Sequence, residues 1–225
     1  SNRKYKNQKI LITTPVHYIP NFHNKLLNNK NIYFNSELKK KDLINIIPNI
    51  QAWICSPCPD YKINKEILKY ADNLKIISSP STGLSHIDTE YCNSKNIQFK
   101  NISSNKKINN ITASSEFTFG LILNLVRNIS LSSSSVLTGK WREEEDLLRS
   151  IQFNNKIIGI IGLGRIGKNI AKYSLSMGMK PYYYDILEKK ISKDIVKCGS
   201  LEEILKISDI VVVCVKLNKK TNKMI

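Results

Sequence analysis

The stretch Gly162-Leu163-Gly164-Arg165-Ile166-Gly167 lies between two segments of different periodicity. The apolar, β-branched run at 156–161 predicts a buried parallel strand before it. Residues 168–177 carry apolar side chains on one helical face, and residues 180–184 predict a second strand that ends at Asp185. Strand, glycine turn, helix, strand and acid in this order form the fingerprint of a dinucleotide-binding βαβ unit.

The three glycines of this turn have different expected roles. Gly162 permits the tight turn, Gly164 lets the backbone approach a pyrophosphate, and Gly167 lets helix and strand pack closely. The helix N-terminus then offers N–H groups and a partial positive charge to the phosphates. Asp185 predicts NAD rather than NADP, because a carboxylate accepts hydrogen bonds from the ribose 2′-hydroxyl and repels a 2′-phosphate.

The composition is that of a folded protein with room for one large or two modest domains. The chain has 225 residues, of which 41% are hydrophobic and 24% charged. No apolar run reaches the roughly 20 residues that span a bilayer, and the apolar run at 9–12 is too short for a signal peptide. We therefore expect a cytoplasmic location and no membrane partner.

The strongly basic balance raises the question of nucleic-acid binding. The net charge is +17 and the pI is about 9.6. The basic residues are scattered along the chain, with no run of five and no basic stripe interleaved with aromatic residues. We expect no specific nucleic-acid partner, although the charge can attract an anionic substrate.

The five cysteines do not suggest a disulfide framework in a chain of this size. The spacing of Cys55 and Cys58 would suit a redox pair or half of a metal site, but only His86 and Cys92 lie nearby in sequence. We expect loop cysteines and no metal, and the role of Cys55 and Cys58 stays open.

The N-terminal half alternates strand-like and helix-like segments, which predicts a parallel sheet with helices on both faces. The predicted strands are 9–13, 31–34, 52–55, 74–77 and 97–99, and the predicted helices are 43–47 and 64–71. The polar stretch 101–110 resembles a linker. The expected domains are therefore 1–110 and 111–225.

A long helix is predicted to open the second domain. Residues 112–116 combine an N-cap candidate with an acid in the first turn, and the helix continues to Arg127. Its apolar residues cover much of its circumference, so we expect it to be buried between two domains. A polar segment, 130–135, follows. The broad apolar surface of the helix and the nearby Trp141 predict a homodimer.

The second domain is predicted to be incomplete. Four strands are expected, at 157–161, 180–184, 195–198 and 210–215. In the usual strand order, 3-2-1-4-5-6, the apolar fourth strand needs a further neighbour. We expect the chain to be part of something longer.

Together these segments resemble the D-isomer-specific 2-hydroxyacid dehydrogenases, and more loosely their phosphoglycerate-dehydrogenase-like branch. The order and spacing of the matching segments carry the resemblance, at 74–77, 79–88, 112–116, 121–127, 139–142, 156–167, 178–179 and 208–215. It implies an α/β fold with a flavodoxin-like substrate domain, a hinge helix and a Rossmann NAD-binding domain. The implied reaction is hydride transfer between NAD and a 2-hydroxy or 2-keto acid.

The resemblance also implies which residues bind substrate and cofactor. The backbone N–H groups of Ser81, Thr82 and Gly83 would hold the substrate carboxylate. The residues expected beside the cofactor are Gly162, Gly164, Arg165, Ile166, Gly167, Asp185 and Val215. Cys214 and Lys216 stand where the family usually has His and Pro, which is a departure from the family pattern beside Val215.

Catalysis by this family needs a histidine base tuned by a carboxylate and an arginine that holds the substrate. The resemblance places all three beyond Ile225, and none of His17, His23 and His86 matches a catalytic position. We therefore assign no catalytic residue here and expect residues 1–225 alone not to turn over a 2-hydroxy acid. The alternative is a catalytically silent NAD-sensing module of the corepressor kind. Which hydroxy acid is used stays open.

Overall fold

A computed structural model describes residues 9–140, 142–218 and 220–225. The chain divides into two compact units, one containing the residues up to Ile108 together with Leu217–Ile225, the other Asn109–Lys216. Among the described helices, none combines the length and apolar character needed to cross a membrane.

The first unit is a parallel sheet with helical connections. Its elements are β1 (Ile10–Ile12), α1 (Phe22–Leu27), β2 (Ile32–Phe34), α2 (Lys40–Ile46), β3 (Ala52–Ile54), α3 (Lys65–Leu68), β4 (Ile76–Ser79), α4 (Thr89–Ser94) and β5 (Gln98–Asn101). All pairings are parallel and the strand order is β2-β1-β3-β4-β5. This is the flavodoxin-like order, which confirms the predicted fold class of this half.

The core of the first unit lies between the sheet and its helices. Leu11, Trp53 and Ile77 on the central strands are at most 1% exposed, as expected for strands covered on both faces. The indole Nε1 of Trp53 donates a hydrogen bond to the Thr13 hydroxyl at 3.0 Å, so its polar atom is satisfied inside the core. The predicted linker contains two 3₁₀ turns, Ile102–Ser104 and Lys106–Asn110.

The second unit has three N-terminal helices followed by a second parallel sheet. Its elements are α5 (Ala113–Arg127), α6 (Ile129–Leu137), α7 (Glu145–Leu148), β6 (Ile157–Ile161), α8 (Arg165–Ser176), β7 (Lys180–Tyr184), β8 (Val196–Lys197), α9 (Leu201–Ile207) and β9 (Ile210–Val213). The strand order β8-β7-β6-β9 is the 3-2-1-4 order expected for a Rossmann sheet. The fourth strand ends two residues earlier than predicted.

One expectation about the helical segment was wrong. Helix α5 is not buried over most of its circumference: Phe119 and Ile122 pack inward, whereas Phe117 and Leu125 are 71% and 74% exposed. Within its unit α5 contacts α8 and α6, and Phe119 meets the ring of Tyr173 on α8 edge-on. These contacts leave Phe117 and Leu125 uncovered.

The polar segment 130–135 forms most of helix α6. Asn128, with a left-handed φ of 52°, separates the two helices. The side-chain oxygen of Asn124 then accepts hydrogen bonds from both the N–H and the hydroxyl of Ser130 at 2.8 Å, which satisfies the start of the new helix. Trp141, on which the homodimer prediction also rested, lies outside the described residues.

Candidate functional site

The glycine turn joins β6 to α8, and each of its glycines has a distinct steric environment. Gly162 has a φ of +94°, and a Cβ there would lie 2.8 Å from Val215 Cγ1. A Cβ on Gly167 would lie 2.3 Å from the Gly162 carbonyl oxygen, so the helix can approach the turn only without a side chain. Gly164 has no atom within 4 Å of the equivalent position. The open side of the turn is therefore at Gly164.

The N-terminus of α8 offers unpaired donors at that open side. Gly164 is its N-cap and brings no capping side chain, and the first turn has no acidic residue. Within the described part of the chain, the N–H groups of Arg165, Ile166 and Gly167 have no protein acceptor. Free N–H groups at the positive end of a helix are the usual protein contribution to binding a phosphate.

Asp185 ties the end of β7 to the glycine turn. One carboxylate oxygen accepts from the Leu163 N–H at 2.8 Å and the other from the Leu187 N–H at 2.9 Å. Lys189 Nζ lies 3.6 Å from the first oxygen, and the Asp185 side chain is only 12% exposed. Because a carboxylate has about four lone-pair directions, each oxygen can still accept a second hydrogen bond.

The remaining predicted cofactor residues lie around the same turn. Val215 sits against Gly162. The side chain of Ile166 is half-buried against the core of the second unit. Arg165 donates from its guanidinium to the Ile111 carbonyl, which uses one of five N–H groups and leaves the others available.

The second candidate site is the loop that follows β4 in the first unit. Four consecutive carbonyls of this loop, at 81–84, accept hydrogen bonds: Ile102 N–H donates to Ser81, the Asn101 side-chain amide to Thr82, the Ser81 hydroxyl to Gly83, and Ile87 N–H to Leu84, at 2.7–3.1 Å. Among the described residues, no acceptor contacts the N–H groups of Thr82 and Gly83. Free N–H groups beside engaged carbonyls present positive dipole ends, which suits an anion.

His86 follows these loop residues in the chain, and it contacts the last residue of β4 and the residue that follows β3. Its Nε2 is 3.0 Å from the Ser79 hydroxyl and 3.7 Å from the Cys55 sulfur. Burial raises the pKa of the Cys55 thiol to about 11, and burial also lowers the pKa of His86. Cys55 is therefore a neutral thiol at pH 7, which does not suit a nucleophile.

The pair Cys55 and Cys58 is not brought together as a shared site. Cys55 is buried and Cys58 is exposed, and both are free thiols. Across residues 9–140, 142–218 and 220–225, no three His, Cys, Asp or Glu side chains converge as metal ligands.

A polar cleft of about 290 Å³ opens at the carboxyl ends of β1, β2 and β3. Its walls include Thr13, Ser36 and Ser56, and its mouth carries the ion pair of Lys39 and Asp60 at 2.9 Å. Sequence reasoning missed this cleft, because three loops that are distant in the chain build it.

Both halves of the chain match known families of domain. Residues 10–115 match the catalytic domain of D-isomer-specific 2-hydroxyacid dehydrogenases, and residues 119–225 match the NAD-binding domain of the same group. The chain belongs to this family. The match confirms the resemblance inferred from sequence and identifies the glycine turn as part of an NAD-binding domain.

Relatives within the family include several reductases and dehydrogenases. The chain is 31% identical to hydroxypyruvate reductase of Thermotoga maritima over 89% of its own length and 63% of that protein. It is 30% identical to D-3-phosphoglycerate dehydrogenase of Sus scrofa, over 84% of its own length and 34% of that protein. The chain thus spans less than two thirds of the length of these dehydrogenases.

A solved structure shows the same architecture. D-lactate dehydrogenase from Aquifex aeolicus, complexed with NAD and lactic acid, superposes with a TM-score of 0.75 at 26% identity. The match covers 95% of this chain and 62% of that one. A glyoxylate reductase from Paecilomyes thermophila gives a TM-score of 0.80 at 17% identity, which shows the shared fold alone.

Proposed function

We propose that this chain carries the substrate-binding domain and the NAD-binding domain of an oxidoreductase that acts on the CH–OH group of a 2-hydroxy acid. The observation that carries the proposal is the loop after β4, where the carbonyls at 81–84 are engaged while the N–H groups of Thr82 and Gly83 have no acceptor among the described residues. Family membership supports the reaction class. NAD, when bound, supplies the hydride acceptor at its nicotinamide ring.

The cofactor half of the proposal rests on the turn between β6 and α8. The N–H groups of the first turn of α8 would bind the pyrophosphate, and the open space at Gly164 lets the phosphates approach the backbone. Asp185 would accept hydrogen bonds from the adenosine ribose through its remaining lone pairs. Its negative charge disfavours a 2′-phosphate, so the proposed cofactor is NAD rather than NADP.

The substrate half of the proposal assigns the 2-hydroxy or 2-keto acid carboxylate to the loop after β4. The N–H groups of Thr82 and Gly83 would donate to the carboxylate oxygens, and Ser81 holds the loop through the Gly83 carbonyl. The net charge of +17 would favour the approach of an anion. Protein groups here bind and orient, and no proton-transfer step is assigned to them.

A backbone N–H deletion tests the substrate assignment directly. Oxalate is a suitable probe because it presents a carboxylate but does not undergo the reaction. Addition of oxalate is expected to shift the amide resonances of Thr82 and Gly83 in a ¹⁵N-labelled sample. Thr82→Pro removes one N–H and should weaken oxalate binding about fivefold or more, whereas the matched Thr82→Ala keeps the N–H and should bind as the parent does. Equal binding by both variants, or no shift in the parent, would exclude the loop as the carboxylate site.

We also propose that two copies associate through α5. Phe117, Leu121 and Leu125 recur every four residues along one face and are 71%, 52% and 74% exposed. Val136 and Leu137 on α6 add exposed apolar surface. Exposed apolar area concentrated on adjoining helices, rather than scattered, is typical of a protein interface, and the proposed occupant is a second copy of this chain.

A reducing compartment such as the cytoplasm is part of the same proposal. All five cysteines are free thiols. Persistent free thiols suit a compartment in which disulfides are rare.

A further inference from the structure

A chain of hydrogen bonds runs from His86 into the loop after β4. His86 Nε2 lies 3.0 Å from Ser79 Oγ, which lies 2.8 Å from Ser81 Oγ. Ser81 Oγ in turn donates to the Gly83 carbonyl at 2.7 Å. Ser79 is 1% exposed, so water does not compete for its hydroxyl.

The hydrogens in this chain can be assigned by counting, because each hydroxyl has only one. A carbonyl oxygen only accepts, so the Ser81 hydrogen is committed to Gly83. The bond between the two serines must then use the Ser79 hydrogen. Ser79 has no hydrogen left for His86, so His86 Nε2 must be the donor in the first bond. The chain therefore has one direction, from imidazole to carbonyl.

We propose that His86 is a positioning residue for the loop after β4, held in the Nε2–H tautomer and fixing the Gly83 carbonyl through Ser79 and Ser81. This inference rests on the proposed function, in which the free N–H groups of that loop bind the substrate carboxylate. The carbonyls at 81–84 must stay hydrogen-bonded to protein donors so that the free N–H groups face an anion. The Gly83 carbonyl is the one held by the hydrogen bonds that start at His86.

The same assignment of hydrogens excludes a role for His86 as a base. A base for the Cys55 thiol would need an unprotonated Nε2, but that atom carries the hydrogen given to Ser79. The two residues therefore do not form a thiolate–imidazolium nucleophile. His86 acts through the serines rather than on the substrate.

The tautomer is the first measurement. Long-range ¹H–¹⁵N correlation spectra of the ¹⁵N-labelled 225-residue chain at pH 7.5, where His86 is neutral, distinguish a protonated Nε2 from a protonated Nδ1. We expect protonated Nε2 at His86. A protonated Nδ1 would reverse the chain and overturn the proposal.

The positioning role is the second measurement. His86→Leu and Ser79→Ala should each shift the Gly83 carbonyl ¹³C resonance and weaken oxalate binding about fivefold, the loss expected for one hydrogen bond. The double variant should lose no more than either single variant, because both break one chain. His86→Gln, whose amide can donate from a similar position, should bind oxalate within about twofold of the parent. His17→Leu makes the same change at an exposed histidine of the same unit, and it should alter neither the Gly83 carbonyl resonance nor the oxalate affinity.

The outcomes separate the two proposals. If the parent chain does not bind oxalate, the carboxylate site is wrong, and the Gly83 resonance in His86→Leu still decides the positioning role. If oxalate binds but His86→Leu leaves both the Gly83 resonance and the affinity unchanged, the positioning role is wrong and the carboxylate site stands. Additive losses of oxalate affinity in the double variant would also contradict a single hydrogen-bond chain from His86 to Gly83.

Discussion

The Asp185 carboxylate accepts a hydrogen bond from the Leu163 N–H at 2.8 Å, which joins the end of β7 to the turn after β6. The contact means that Asp185 has a structural role beside its proposed role toward the ribose. A substitution at Asp185 therefore has two separable effects, one on the turn and one on cofactor choice.

Asp185→Asn is expected to weaken NAD binding about tenfold and to reduce the ratio of the affinity for NAD to the affinity for NADP. The amide keeps one oxygen that can accept from a backbone N–H but loses the charge that repels a 2′-phosphate. Calorimetric titrations with both dinucleotides measure the two affinities. Lys189→Met, which removes the cation 3.6 Å away and keeps the carboxylate, is the matched control and should retain the preference for NAD. If Asp185→Asn binds both dinucleotides as the parent does, the ribose assignment is wrong.

Valine at two glycines of the same turn is expected to have opposite consequences. Gly164→Val places its side chain in open space, so the unfolding free energy should change by no more than about 1 kcal/mol while dinucleotide binding is lost. Gly167→Val drives a Cβ to within 2.3 Å of the Gly162 carbonyl oxygen and should cost about 2 kcal/mol or more. Urea unfolding measures the unfolding free energy of each variant, and NADH titration measures its dinucleotide binding. A well-folded Gly167→Val that binds NADH would contradict the packing argument.

Cys58 is expected to react with iodoacetamide well before Cys55. Cys58 is exposed, whereas Cys55 is buried and has a pKa raised to about 11 by that burial, so little thiolate is present near pH 8. Mass spectrometry of the native chain should find the first modification at Cys58, and Cys58→Ser should remove it. Modification of Cys55 at a similar rate would show that its pocket opens readily.

Leu125→Glu is expected to convert a dimer into a monomer. Leu125 is 74% exposed on the apolar face of α5, and a buried unpaired carboxylate at an interface would oppose association. Light scattering measures the mass. Leu205→Glu, at a 38% exposed position on α9, is the control and should remain dimeric. A monomeric parent chain would rule out the interface.

Much of the fold follows from local pattern. The alternation of short apolar runs with amphipathic segments led to two parallel sheets, and the strand orders agree with that prediction. The glycine turn was predictable for the same reason: its three glycines, the following helix and Asp185 lie within one βαβ unit, where spacing along the chain determines spacing in space.

One error came from judging the amphipathic pattern of α5 without knowing which elements pack against it. The sequence of α5 is apolar around much of the helix circumference. Only the packing of α5 in the folded chain decides which face is covered. The serine-rich helix α6 has a weak pattern, and its start depends on the Asn124 side chain reaching across a left-handed Asn128.

By itself, the sequence determined the family, the two sheets and the position of the glycine turn, because these depend on periodicity and on residues close together in the chain. Only the tertiary structure decided that His86 meets Ser79 and Cys55. Those residues follow or end different strands, and the parallel pairing of β3 with β4 brings the strand ends together. Contacts of this kind depend on sheet order and register, which leave no spacing rule in the sequence.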